Sequence, residues 1–389
     1  MGFVLIIISA MLLADVCWWF YTDRLARRWR LPAAWRVGLG VWMGLLIAGL
    51  GLLVVARLLR LRINVMPETA YSILLSWHLL VLPVLLLLLL ALAVARRVVR
   101  RERAPVAELP VDVGRRAFLT HALVAAPPIV TLVLTGKAAI DRDEFTVRRA
   151  MVPLRALPRG LDGMTVAFVS DPHVGSFMSD RKFNAIIEST NALDADLVLH
   201  GGDLINSNLV DLPDGIDLLR RLRGRYGTFS CQGNHDCIES RAIFESRTTQ
   251  ADVGMLLDEI RTIRVRGHDV QVIAPRWARG RDDRAIHAAA DRIVAQRRPD
   301  LFSVLLAHHP HNFDIAAARG VPLTLVGHTH GGQIGFSPRY SFGRFMYRYH
   351  SGEYRIGDSA CSVSNGIGNW FPLRVNVPPE IVHLTLTCA

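Results

Sequence analysis

The chain has 389 residues, of which 51% are hydrophobic and 20% charged, with a formal net charge of +11. That length allows two units with separate jobs. The charge distribution argues against a nucleic-acid partner: residues 1–116 hold fifteen Arg, no Lys and six acids, whereas residues 117–389 hold thirty basic and twenty-eight acidic residues. The excess belongs to the hydrophobic half and reads as membrane topology.

Four apolar blocks come first: Phe3–Phe20, Val37–Val55, Tyr71–Ala95 and Phe118–Leu134. A bilayer-crossing helix needs roughly 20 apolar residues, and these blocks approach or meet that length. The fourth contains Pro127 and Pro128, which kink or end a helix. Residues 1–140 are therefore expected to form a transmembrane region, 141–162 a linker and 163–389 a folded domain. Five Arg lie in the first loop and seven in the third, against three in the second. By the positive-inside rule the first and third loops are cytoplasmic. The chain then reads as a multi-pass protein of the inner (cell) membrane, with its second half on the periplasmic or extracellular face. Gly114–Leu123, GRRAFLTHAL, either flanks the fourth span or resembles a twin-arginine export signal; both readings export the second half. Asp15 and His78 lie in the apolar blocks and are expected to be helix-contact residues rather than a pair.

The second half is punctuated differently. Short apolar runs end at once in His, Asp or Asn, usually beside glycine: VSDPHVG from Val169, HGGDL from His200, CQGNHD from Cys231, LAHHP from Leu306 and VGHTHGG from Val326. Near-continuous Val/Leu/Ile runs suit strands buried on both faces. Helical patterning over Arg181–Leu193, Leu212–Leu222 and Arg284–Arg297 lies between them, which makes this an α/β domain. Ligands collect outside the strand ends of such sheets, so five strands ending in imidazoles, carboxylates and one amide predict one polar cluster. Two cations sharing a carboxylate would use that many donors. Carboxylate and imidazole suit Mn, Zn or Fe better than thiolate-selected metals. The five Cys include no CxxC, which speaks against a zinc ribbon or thioredoxin-type site. Cys361 and Cys388, both near the C-terminus of an exported domain, are expected to pair.

D-x-H, G-G-D, G-N-H-D, a His before Pro and G-H-T-H, in that order over about residues 160–388, resemble the calcineurin-like metallophosphoesterase superfamily. The tail SNGIGNWFPLRVNVPPEIVHLTL is similar to that of its bacterial membrane-associated phosphodiesterase branch. Pro172 stands where Leu or Ile is usual, and His200-Gly201 replaces a commoner pair; neither removes a ligand. The resemblance implies a β-sandwich flanked by helices, here preceded by an α-helical region of about four spans. It implies two divalent metal ions: Asp171, His173 and His330 on one, Asn234, His308 and His328 on the other, and Asp203 between them. It implies His235 as a general acid or a donor to the phosphoryl oxygen, with Asp236 holding its tautomer.

Among neighbours of these motifs, His309 and His311 are expected to be wall or surface residues and His200 structural. Arg339, Arg344 and Arg348, with Phe336, Tyr340 and Tyr347, either line a substrate pocket or form a solvated loop. The function implied is a membrane-anchored phosphoesterase acting on phosphodiester or pyrophosphate bonds of envelope- or lipid-linked substrates by metal-activated hydroxide attack. A non-catalytic membrane sensor or scaffold would be expected to lack ligands, and none is missing. A lipid A precursor pyrophosphatase would meet its substrate in the cytoplasm, which the inferred topology opposes.

Overall fold

The computed structural model describes residues 2–58, 66–102, 113–141, 143–278 and 283–389. Loop arginines that set the expected topology, Arg60, Arg62 and Arg103 among them, and the side chains of Arg115 and Arg116 lie outside the described residues. The chain divides into two units, Met1–Ile140 and Asp141–Ala389.

The first unit is helical: α1 (Gly2–Arg28), α2 (Ala33–Leu58), α3 (Glu68–Leu75), a π-helical turn (Ser76–Val81), α4 (Leu82–Glu102) and α5 (Val113–Ile140). Four of its helical stretches, Ile6–Arg28, Ala33–Ala56, Glu68–Ala95 and His121–Ile140, are long and apolar enough to cross a membrane. Pro127 and Pro128 neither end α5 nor leave it short. Thr131 Oγ1 donates back to Pro127 O at 2.8 Å, one turn earlier in the helix.

Asp15 and His78 do form a pair, contrary to the expectation from sequence. Asp15 Oδ2 lies 2.8 Å from His78 Nε2, and Trp77 Nε1 donates to Asp15 Oδ1 at 2.8 Å. His78 Nδ1 lies 2.8 Å from Leu74 O. All three side chains are buried, within a bundle packed from Trp18, Met43, Leu46, Leu74 and Leu82. The π-helical turn carries Trp77 and His78 together to one carboxylate, a spacing that apolar counting does not reveal. Asp15→Leu would strand both donors. It is expected to cost about 3–5 kcal/mol, read as a lower unfolding temperature of the helical signal in detergent. An unchanged melt would show that the pair holds nothing together.

The second unit contains thirteen strands and six helices among the described residues. The strands are β1 (Thr146–Leu154), β2 (Met164–Val169), β3 (Leu197–His200), β4 (Thr228–Ser230), β5 (Glu259–Val265), β6 (His268–Ala274), β7 (Phe302–Leu306), β8 (Leu323–Val326), β9 (Gly335–Ser337), β10 (Tyr340–Ser341), β11 (Gly352–Ile356), β12 (Ser359–Val363) and β13 (Glu380–Cys388). The helices are α6 (Asp180–Ala192), α7 (Leu212–Arg221), α8 (Arg241–Gln250), α9 (Asp283–Val294), α10 (Asn312–Ala318) and α11 (Gly343–Met346). One sheet runs β1-β13-β2-β3-β4, a second β11-β12-β8-β7-β6-β5, and β9 and β10 form a two-stranded sheet.

Alternation explains the layers. Val166, Phe168, Leu197 and Leu199 from the first sheet meet Val270, Val272, Val304 and Leu306 from the second in one core. Their neighbours along each strand face outward, where Ala167, Val169 and Val198 pack under Ile186, Leu218 and Phe244, and Leu305 and Val326 under Ile293 and Phe313. Strands buried on both faces are apolar throughout, which is why they read as unbroken runs. Ser179 caps α6 by accepting from Lys182 N at 3.1 Å, and Pro213 opens α7.

Two sequence expectations change here. Residues 146–154, expected within a linker, are edge strand β1, paired in parallel with β13 from Thr146–Glu380 to Leu154–Cys388. Arg148 Nε donates to the buried Glu380 Oε2 at 2.9 Å, fixing that register. Cys361 and Cys388 are both free: Cys361 is buried in β12 of one sheet, while Cys388 is exposed at the end of β13 in the other.

Candidate metal centre

β2, β3 and β4 run parallel to one another, as do β6, β7 and β8. Each set therefore sends its carboxyl ends, and the loops beyond them, to one edge of its sheet. Asp171 and His173 follow β2, Asp203 follows β3, Asn234 and His235 follow β4, His308 follows β7, and His328 and His330 follow β8. The structure brings all of these side chains into one cluster.

Donor atoms lie within 4.8 Å of one another inside each of three groups: Asp171, His173 and His330; Asp203, His308 and His328; and His173, Asp203 and His235. His173 Nε2 is 2.9 Å from His330 Nε2 and 3.6 Å from Asp203 Oδ2. His330 Nε2 is 3.5 Å from Asp171 Oδ1. On the other side, His308 Nε2 stands 3.2 Å from Asp203 Oδ2, 3.1 Å from Asn234 Oδ1 and 3.2 Å from His328 Nδ1. Asp203 faces both groups.

The chemistry of these contacts fits cations. His308 Nδ1 donates to Gly201 O at 2.7 Å, so in the neutral ring Nε2 is a bare lone pair. It nevertheless faces a carboxylate oxygen, an amide oxygen and a second imidazole nitrogen. Acceptors crowded like this repel unless a positive charge sits among them. Burial opposes charging His308, but Asp203 and Asp171 outweigh it and push the ring up to about 9. Burial, with neighbouring cations, holds His173, His328 and His330 well below the usual imidazole range, the neutral form a metal needs. Burial would raise Asp203, yet His308 and His235 hold its carboxyl well below the usual carboxylate range. Asp171 is raised to about 6, chiefly by burial.

The backbone pays for this convergence. Asp171, His173, Asp203, His328 and His330 all have φ between 47° and 71°, the left-handed region that costs a side-chain-bearing residue. Gly202 sits at φ 88°, and a Cβ there would stand 2.8 Å from both Gly233 N and His308 Nδ1. Only glycine lets the β3 and β4 loops approach this closely.

His235 is held differently. Its Nδ1 pairs with Asn206 O, leaving Nε2 as the atom free for the cluster, and its ring lies edge-on to His173 at 4.6 Å. Its backbone N donates to Asp203 Oδ1 at 2.8 Å. Asp236 does not hold the His235 ring, contrary to the expectation. Its carboxylate accepts from Gly233 N at 2.8 Å and Ile205 N at 3.2 Å, tying the β3 and β4 loops together beneath the cluster. Burial and Asp203 push that carboxyl up to about 8.

His200 is buried and bonded to Ser230 Oγ at 2.6 Å, a structural position. His309 is buried against His328, with ring centroids 4.9 Å apart. Of the six residues after GHTHGGQ that could line a pocket or a solvated loop, Tyr347 reaches the cluster: its hydroxyl lies 3.1 Å from His328 Nε2. Arg348 instead pairs with Asp314 at 3.4 Å, and Arg344 lies over the Tyr340 ring.

Two residues acquire a place here that sequence reading does not give them. The Trp277 ring packs 5.5 Å from His308 and 5.4 Å from His328. Arg374 is buried behind His330; it donates to Asn369 Oδ1 at 2.6 Å, Gly368 O at 2.8 Å, Asn365 O at 2.9 Å and Val377 O at 3.0 Å. Burial pushes its guanidinium down to about 9. Its position in the tail that resembles other phosphodiesterases is the one available signal.

Residues 164–332 match the calcineurin-like phosphoesterase family. The chain is similar to an uncharacterized metallophosphoesterase of Helicobacter pylori, 30% identical over 57% of this chain and 60% of that protein. It is 26% identical to a transmembrane protein with metallophosphoesterase domain from Bos taurus, over 72% of this chain and 65% of that one. It is 25% identical to phosphodiesterase YaeI of Escherichia coli, over 57% and 81% respectively. The matched stretch thus spans less than two thirds of the Helicobacter and bovine relatives. With the strand-end motifs now seen to converge at the edges of two parallel strand sets, residues 164–332 form a calcineurin-like phosphoesterase domain.

Proposed function

We propose that the protein is a membrane-anchored, two-metal phosphoesterase that cleaves phosphodiester or pyrophosphate bonds in envelope- or lipid-linked substrates. One observation carries this reading: imidazoles, carboxylates and an amide from five strand-end loops converge with their donor atoms turned toward one another. Asp171, His173 and His330 would hold one cation, Asn234, His308 and His328 the other, and Asp203 both. When bound, a pair of divalent cations supplies charge that polarises phosphoryl oxygens and lowers the pKa of water. The protein's own part is positioning. Gly201 O fixes the His308 tautomer, Asn206 O fixes that of His235, and Arg374 braces the loop behind His330. In its doubly protonated form His235 would carry on Nε2 the proton that a leaving oxygen takes up, and Nε2 would be left as a bare lone pair after the transfer. The name phosphodiesterase borne by the similar Escherichia coli protein favours diesters.

The test is hydrolysis by the full chain in detergent, with aryl phosphodiesters against aryl monoesters, then isoprenoid pyrophosphates and phospholipids. Mn, Zn and Mg are added singly, with a chelator control. Chelator-sensitive diester cleavage is expected. Metal binding without hydrolysis of any of these would favour the sensor or scaffold reading instead.

The second unit is assigned to the periplasmic or extracellular face of the inner membrane. The support is five and seven Arg in the first and third loops against three in the second. Alkaline-phosphatase fusions after residue 140 are expected to be active, and fusions near Ala104 inactive. The reverse pattern would move the unit to the cytoplasm and reopen the lipid A precursor as a substrate.

A further inference from the structure

The segment between the last candidate ligand and Glu353 carries an unusual surface. Phe336, Phe345 and Met346 are 93%, 84% and 67% exposed, and Tyr340 and Phe342 are exposed beside them. Phe336, Tyr340, Phe342 and Phe345, on and beside β9, β10 and α11, line an apolar groove together with Ile334 and Gly335. The base of this flap is fixed. Phe342 N donates to Ile334 O at 2.9 Å, Gly335 N to Val375 O at 3.0 Å and Tyr347 N to Gly343 O at 2.8 Å. The apolar side chains are thus held out in water by a built scaffold. Exposed apolar area on this scale in one short segment marks an interaction surface.

We propose that this flap docks onto a lipid bilayer, its Phe and Met side chains entering the interface and its arginines meeting anionic headgroups. Charge and composition select that occupant. Residues 331–352 contain Arg339, Arg344 and Arg348 and no Asp or Glu; Arg348 pairs with Asp314, which leaves Arg339 and Arg344 as the arginines to face headgroups. Aromatic and aliphatic tips rimmed by Arg are the pattern of interfacial membrane binding. The chain also carries four helices long and apolar enough to cross a membrane, so the unit is tied to a bilayer by its own backbone. Both stems of the flap adjoin the metal cluster, through His330 on one side and the Tyr347 hydroxyl on His328 on the other. Docking there would present the cluster to headgroup phosphates, but the docking itself does not depend on catalysis.

The test uses the full chain in vesicles of phosphatidylethanolamine and phosphatidylglycerol, with a bilayer-resident aryl diazirine as photolabel. Labelled residues are read by mass spectrometry. Met151 and Ile238, exposed apolar residues of the same unit outside the flap, are the internal controls. Label is expected on Phe336, Phe342, Phe345 or Met346 and not on the controls. Arg339→Glu with Arg344→Glu should reduce flap labelling in these vesicles by about fivefold or more per arginine, and change it little in phosphatidylcholine vesicles. Equal labelling of flap and controls, label confined to the first unit, or chemical cross-links joining the flaps of two copies would each overturn the proposal.

Discussion

Replacing Asp203 by Asn is expected to empty both metal positions while the domain stays folded. The substitution keeps the shape of the side chain and removes one negative charge. The amide oxygen introduced there could still accept from His235 N, the 2.8 Å bond that the carboxylate makes now. What it could not do is face two cations as an anion. Asp203 Oδ2 stands 3.2 Å from His308 Nε2 and 3.6 Å from His173 Nε2, one residue from each donor group. His330→Ala and His328→Ala, by contrast, each remove a donor from one group and should weaken mainly one position. Metal content per chain by mass spectrometry distinguishes these cases. An Asp203→Asn protein that keeps both metals would show that the bridge is misassigned, and a circular-dichroism spectrum like that of the parent would exclude misfolding as the cause.

How much of this is legible without coordinates depends on how local each signal is. The strand-end motifs are local. A strand buried on both faces must be apolar throughout, and the loop after it must carry whatever the site needs, so Val169 to His173 announces itself in five residues. β5 escapes because Glu259–Val265 is a half-exposed edge strand whose charged residues break any apolar run. β1 escapes for a different reason: its pairing with β13 joins Thr146 to Glu380, and nothing in residues 146–154 names that partner. The same distance problem hides the Asp15–His78 pair, the Asn206 carbonyl beneath His235 and the Arg374 web. Left-handed φ at five candidate ligands is invisible too, since only the need to aim side chains at one point forces Asp and His into that region. Asp236 shows the reverse error. Adjacency in sequence suggests that it serves His235, whereas the tight turn points its carboxylate back at Gly233 N and Ile205 N.

The largest effect on chemistry without loss of assembly is expected at His235. Its Nδ1 is committed to Asn206 O, so the ring is oriented by main chain and Nε2 is presented to the cluster. If Nε2 protonates the leaving oxygen, His235→Ala should keep both metals and lose about 10²–10⁴-fold in turnover, the usual contribution of a positioned acid. The loss should shrink for a nitrophenolate leaving group, which needs little protonation, and grow for an alkoxide. Asp236→Asn should behave differently from what a tautomer-holding role predicts. It would perturb the loop through Gly233 and Ile205, and so lower metal occupancy and turnover together without that dependence on leaving group. Two results would overturn the assignment of His235. Loss of metal in His235→Ala would make it a ligand, which its approach to His173 and Asp203 permits geometrically. An equal loss across leaving groups would make it a donor to the phosphoryl oxygen, stabilising charge in the transition state rather than moving a proton.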